Sequence, residues 1–220
     1  MRTVLVLALD TATPASTAAM AEVTGDGMRG IAERRSVDPR AHGELLAPEI
    51  AAVLDEAGLR PSDLGAIVAG LGPGPFTGLR VGLATAVSMG QALGIPTYGV
   101  CSLDALGLAA GPGRVLAATD ARRREVYWAT YADGHRTRDP DVARPVDVGE
   151  GALKYSDVLG VPIDGLLLYP PGAALVSLAA DRIRNSAPSE WLTPLYLRRP
   201  DAVEPAGRKP VLRASFRGRQ

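Results

Sequence analysis

The run Gly72-Pro73-Gly74-Pro75-Phe76-Thr77-Gly78-Leu79-Arg80-Val81-Gly82 restricts the fold more than any other stretch of the chain. It follows an apolar segment, residues 66–71, that reads as a buried strand. Two prolines alternating with two glycines can neither continue that strand nor start a helix early. Thr77 is placed to cap a helix by accepting the N–H of Leu79 or Arg80. Phe76 and Val81 hold the two positions of a hydrophobic staple. The helix should run to Leu93 and stop at Gly94. Within it Gly78, Gly82, Ala86 and Gly90 recur every four residues along one ridge. Glycine inside a helix costs about 0.5–1 kcal/mol relative to alanine, so the repetition implies close approach by another backbone. The alternative is a phosphate cradled at the helix N-terminus. The turn lacks the Lys and Ser/Thr of a P-loop, which favours packing against a helix of this chain or another. Arg80, Thr85, Ser88 and Gln91, with the short length, argue against a membrane span.

Composition removes several function classes. The formal net charge of the 220 residues is zero, so no global field draws the chain to nucleic acid. Cys101 is the single cysteine, which leaves no disulfide framework and no cysteine-based zinc site within one chain. His42 and His135 are the only histidines, too few for a histidine-rich metal site. The apolar N-terminus could be mistaken for a signal peptide, but Asp10 interrupts it, and it reads better as a buried strand. A reducing cytoplasm is the expected location.

Along the chain, residues 4–9 form a continuous apolar strand that ends in the polar turn Asp10-Thr11-Ala12-Thr13-Pro14. Residues 16–23 and 28–35 read as two strands joined at Gly25-Asp26-Gly27. Asp38-Pro39 suggests a helix entry, followed by a helix over about 40–57 that Gly58 ends and Pro48 kinks. Leu46, Ile50, Val53 and Ala57 make one stripe, and Leu45, Ala47, Ala51 and Leu54 widen it beyond what a single sheet face needs. Residues 95–100 read as a strand, and Ser102 as the cap of a helix to Ala109. Gly111-Pro112-Gly113 is the expected domain boundary, dividing lobes at 1–110 and 111–220. Residues 115–120 then repeat the pattern of 6–10: an apolar run, an aspartate, a polar turn and a second strand, here 126–132 closed by Asp133-Gly134. Asp139-Pro140 and Arg144-Pro145 suggest a loop. A short helix over 149–159, a strand over 165–169, a helix from Pro171-Gly172 to Asn185 and a solvated basic tail over 208–220 complete the reading.

Four motifs carry a resemblance: Ala8-Leu9-Asp10-Thr11-Ala12-Thr13, the Gly72–Gly82 run, Asp120-Ala121-Arg122 with Glu125-Val126-Tyr127, and Pro194-Leu195-Tyr196-Leu197-Arg198. In these the chain resembles the bacterial TsaB (YeaZ) family. The resemblance implies an α/β, actin-like (ASKHA, sugar-kinase-like) fold of two lobes, each a mixed sheet flanked by helices. It also implies a non-catalytic subunit in making N6-threonylcarbamoyladenosine at position 37 of tRNA. The implied partners are a catalytic TsaD-like paralogue, a TsaE-like ATPase, tRNA through the complex, and a second copy as a homodimer when alone, with no membrane. The paralogue's metal-binding histidines align with Ser102 and Leu106, neither of which can replace an imidazole ligand. No cofactor is required on this reading. Asp10, Thr11 and Asp120 could retain weak or degenerate ATP/ADP binding, while paired aspartates at strand ends also serve as turn caps. An active phosphotransferase of the same fold and a peptidase are the competing functions. The resemblance places the TsaD contact on two helices, with Leu45, Leu46, Glu49, Ile50 and Val53 on the first and Gly78, Leu79, Gly82, Leu83, Ala86, Val87 and Gly90 on the second. Family members usually have more chain near 145–149.

Overall fold

The computed structural model describes residues 3–144 and 168–198. The readings over 145–149, 149–159 and 208–220, and most of the strand over 165–169, lie outside the described residues.

The chain opens with β1 (Val4–Asp10), β2 (Ala15–Val23) and β3 (Met28–Val37), an antiparallel meander. β4 (Ala66–Gly70) pairs parallel to β1, and β5 (Thr97–Val100) pairs parallel to β4, giving the order β3-β2-β1-β4-β5. Side chains alternate across a strand. In β1, Val6 and Ala8 therefore enter one core while Leu7 and Leu9 enter another. Both faces are covered, which is why the sequence shows an unbroken apolar run. Burying Leu7 or Leu9 contributes about 1.5–3 kcal/mol each.

On the Leu7 face lie α1 (His42–Glu56) and α2 (Phe76–Leu93), which also touch each other. On the Val6 face lie the end of α3 (Ser102–Ala109) and α4 (Gly172–Arg184). Another face of α3 carries a second sheet of β6 (Arg114–Arg122), β7 (Glu125–Ala132) and β8 (His135–Ala143). Leu103 and Leu106 pack there against Tyr127, Ala129 and Tyr131. The repeat seen in the sequence is thus a repeated meander, with β6-β7-β8 echoing β1-β2-β3.

Several expectations change. Helix α2 starts at Phe76 with Pro75 as its N-cap, so Thr77 lies inside the first turn and caps nothing. Phe76 packs on Tyr196, ring centroids 4.5 Å apart. Cys101, not Ser102, precedes α3. α1 begins at His42, after a turn in which Asp38 Oδ1 accepts the Arg40 N–H at 2.8 Å. Asp139-Pro140 lies in β8 instead of a loop. β8 is an edge strand with register shifts against β7, where a proline and charged side chains are tolerated. The division at 110/111 also needs correction: α4, placed in the second lobe, packs on the first sheet through Leu175, Val176, Ala179 and Ile183. Residues 190–195 likewise return to it, with the Leu195 N–H donating to the Leu71 carbonyl at 2.8 Å.

Candidate functional site

The Gly-Pro turn is explained by what lies beneath it. A Cβ on Gly74 would collide with the backbone of Ala12, so the turn closes directly over the loop that follows β1. The ridge of α2 meets the same chain: a Cβ on Gly82 would lie 2.5 Å from Thr11 Oγ1, and one on Gly90 2.5 Å from Thr97 Cγ2. Gly78 abuts His42 and the Thr11 carbonyl. The close approach implied by the glycines is real, but the neighbour is this chain's own β1 loop, α1 and β5.

Thr11 fastens the contact. Its hydroxyl donates to the Gly78 carbonyl at 2.8 Å and accepts the Gly82 N–H at 3.0 Å. Asp10 is 1% exposed; Oδ1 accepts the Ala12 N–H at 3.0 Å and Oδ2 accepts from Ser102 Oγ at 2.5 Å. Ser102 Oγ in turn accepts the Gly72 N–H at 3.2 Å. The expected nucleotide set is therefore not assembled. Asp10 and Thr11 face inward with their polar atoms engaged, the Gly74 backbone lies over the loop, and of the three only Asp120 is exposed. Asp120 Oδ1 accepts the Arg122 N–H at 2.8 Å as a turn cap. These residues do not fit a phosphate–Mg²⁺ clamp.

Burial pushes the Asp10 pKa up from 3.8 to about 6, against the lowering effects of the Ser102 and Ala12 hydrogen bonds and Arg35. A carboxyl with a raised native pKa binds its proton more tightly folded than unfolded. Its contribution is therefore most favourable below pH 3.8 and is lost as pH rises toward 6. At about 1.4 kcal/mol per pH unit, the loss is on the order of 3 kcal/mol. Asp10→Asn is expected to remove that component. Urea unfolding of both proteins from pH 4 to pH 7.5 should show a stability difference that changes with pH in this sense; parallel curves would contradict it.

The cleft between the two sheets, about 650 Å³, is bounded by Thr13, His42, the start of α2 and the β6–β7 turn. Arg40, Arg122, Arg123 and Arg198 line it. Arg122, Arg123 and Arg124 have φ of 60°, 55° and 61°, the left-handed region that costs non-glycine residues about 1–2 kcal/mol each. His42 is 7% exposed, and its Nδ1 lies 2.9 Å from Ser16 Oγ. Burial lowers its pKa, opposed by Asp38 and assisted by the charge of Arg122, so the ring is neutral at pH 7. Sequence reading missed this cleft. Its one signal was the run Arg122-Arg123-Arg124.

Most of the residues read from the sequence as a partner surface are not accessible. Leu46, Ile50, Val53, Gly78, Leu79, Gly82, Leu83, Ala86 and Gly90 are buried within the chain. Leu45 and Glu49 are half-buried, and Glu49 accepts a hydrogen bond from Ser36 of β3. Only Val87, 36% exposed, faces outward. The outer faces instead carry Ala47, Pro48 and Ala51 on α1, and Ala84, Val87, Ser88 and Gln91 on α2. Trp191, 95% exposed, lies beside the end of α2, where it joins Val87 and Gln91 in lining a hollow of about 610 Å³. Among the described residues, no helix is long and apolar enough to cross a membrane.

Residues 34–193 match the family described as TsaD: tRNA N6-adenosine threonylcarbamoyltransferase. The chain is 37% identical over 222 residues to the tRNA threonylcarbamoyladenosine biosynthesis protein TsaB of Escherichia coli, covering 88% of this chain and 94% of that protein. The chain belongs to the TsaB family. Other proteins are similar over most of this chain. The chain is 50% identical over 205 residues to an uncharacterized Mycobacterium tuberculosis protein, covering 90% of this chain and 93% of that one. It is 47% identical to a Mycobacterium leprae protein, of which it spans 56%. YeaZ from Pseudomonas aeruginosa superposes with a TM-score of 0.67 at 31% identity, covering 88% of this chain and all of that one. The actin-like two-sheet architecture is thus the TsaB fold.

Proposed function

We propose that this chain is a non-catalytic subunit in tRNA N6-threonylcarbamoyladenosine biosynthesis, binding and supporting a TsaD-type transferase. The observation that carries the reading is the identity to Escherichia coli TsaB over nearly the full length of both chains. The site geometry agrees with it. Asp10 and Thr11 hold the fold together instead of facing a substrate, and Ser102, aligned with a metal ligand of the catalytic paralogue, bonds Asp10. Peptidase and phosphotransferase readings have no matching arrangement among the described residues.

The docking surface is the outward side of α1 and α2, turned away from the buried stripe. Ala47, Ala51 and Ala84 are small enough for helices of a partner to come to the near end of the usual 8–10 Å separation. Val87 and Trp191 supply larger apolar contacts. The same face supports a two-fold homodimer when the partner is absent, so the two assemblies compete. A TsaE-type ATPase joins the assembly with TsaD. Co-expression with a TsaD-type subunit tests the reading: a stable complex should co-purify and displace the homodimer. Recovery of the two proteins only as separate species would overturn it.

A further inference from the structure

Arginines away from the cleft are largely neutralised within the fold. Arg34 pairs with Glu56 at 2.6 Å, Arg182 with Glu190 at 2.8 Å, and Arg29 with Glu22 at 2.7 Å. The cleft differs. Arg40 comes from the approach to α1 and Arg122 from the β6–β7 turn, and among the described residues neither side chain forms an ion pair. Arg198, also in the cleft, is paired with Glu125. Asp120 is the one carboxylate in the cleft wall. The excess of positive charge is local, because the chain as a whole has a net charge of zero.

Three further features point the same way. The start of α2 opens on the cleft with no acidic residue in its first turn and no side-chain cap, so its positive end is uncompensated. His42 is more than nine-tenths buried. Nδ1 faces Ser16, while the Nε2 edge lies at the cleft wall against Gly78 without a hydrogen-bond partner among the described residues. An aromatic rim continues from the cleft. Phe76 lines it and packs on Tyr196, which is 40% exposed. Arg80 lies 5.8 Å from the centroid of Phe76 and 5.9 Å from that of Tyr196, and its Nε donates to the Tyr196 hydroxyl at 3.1 Å. Unpaired guanidinium groups beside an accessible aromatic ring form the surface that single-stranded nucleic acid uses, with phosphates on the cations and a base on the ring. The left-handed backbone at three successive arginines is a conformational cost that holds one of those cations at the mouth of the cleft.

We propose that the inter-sheet cleft receives the phosphate backbone of an unpaired stretch of the tRNA, held by Arg40 and Arg122 and bordered by Phe76 and Tyr196. This rests on the tRNA-modification reading, but it assigns an RNA contact to this subunit itself. A mononucleotide is disfavoured because the Asp10 loop is closed by Gly74.

The test uses an unmodified tRNA transcript, with binding followed by fluorescence anisotropy between 50 and 300 mM KCl. It is run on the chain alone and on its complex with a TsaD-type subunit. Asn tolerates left-handed backbone, so the variants are Arg40→Ser and Arg122→Asn, with Arg60→Ser as an exposed control on the 3₁₀ turn before β4. The double variant is expected to bind at least tenfold more weakly at 100 mM salt. Its log–log salt slope should fall by roughly 1.5, since each neutralised phosphate contributes about 0.7–0.9. The control should match wild type. Unchanged affinity and slope in a folded double variant would overturn the proposal. Stoichiometric ADP binding that needs the same two arginines and displaces the tRNA would also overturn it, making the cleft a mononucleotide site. Complex formation is measured on the same samples. Loss of tRNA binding with the complex intact therefore reads on the cleft, and a wild-type chain that forms no complex reads on the partner role.

Discussion

Alanine at Gly70 is expected to destabilise the fold by about 3 kcal/mol or more. Gly70 ends β4 directly beneath Asp10. A Cβ there would collide with the Asp10 carboxylate and lie 2.7 Å from Ser102 Oγ. Neither neighbour can move freely. Asp10 is fixed by the Ala12 N–H, and Ser102 by the Gly72 N–H. Displacing them leaves a buried carboxylate and two backbone N–H groups without partners, each a substantial desolvation loss. Domain stabilities are about 5–15 kcal/mol, so this is a large fraction of the total. At roughly 2–4 °C per kcal/mol for a chain of this size, the melting temperature should fall by about 10 °C. Urea unfolding at pH 7 reads the effect, with Gly27→Ala as a control because a Cβ there meets nothing within 4 Å. A loss below about 1 kcal/mol at Gly70 would mean that Asp10 does not pack against β4 as described.

The paired substitution Ala84→Glu with Val87→Glu is expected to weaken binding to a TsaD-type subunit at least 100-fold while leaving the monomer folded. Both side chains are exposed on α2, and surface changes of this kind usually alter stability by less than about 0.5 kcal/mol. Covered by a partner, each carboxylate would lose water without gaining a counter-charge, at several kcal/mol apiece. A hundredfold change in affinity needs only about 2.8 kcal/mol. Leu46→Glu and Leu83→Glu would not serve, because those residues are 1% and 6% exposed and belong to the core beneath the helices. Circular dichroism establishes the fold of the variant and calorimetry its affinity for the partner. A folded variant that binds with wild-type affinity would place the interface elsewhere.

Local patterns carried much of this architecture in the sequence. The unbroken apolar run of β1 announced a strand covered on both faces, and Gly94, with φ of 65°, stops α2 where the pattern said it would. The glycine ridge was legible as a place of close approach. Its partner was not, because periodicity identifies a face and not what covers it, and Thr11, His42 and Thr97 reach that face from three separate elements. The wide stripe on α1 divides between two sides: Leu46, Ile50 and Val53, read as interface, turn inward, while Ala47 and Ala51, which widen the stripe, turn outward. β8 has no apolar signature in the sequence because an exposed edge strand needs no alternating pattern. The return of α4 to the first sheet is a matter of topology that its own residues do not encode. Asp10 reads in the sequence as the end of a strand before a polar turn, but its hydrogen-bond partner Ser102 is 92 positions along the chain. The cleft assembles Arg40, Arg122 and Arg198 from three distant segments, which no local window contains.

The central claim is that this chain supports a transferase without performing the transfer. Its most direct test is a threonylcarbamoyl-transfer assay on unmodified tRNA, supplied with threonylcarbamoyl-adenylate, a TsaD-type subunit and a TsaE-type ATPase, with and without this chain. Modified tRNA is expected when all components are present, little without this chain, and none from this chain alone. Modification by this chain alone, or the same yield with and without it, would contradict a supporting, non-catalytic role.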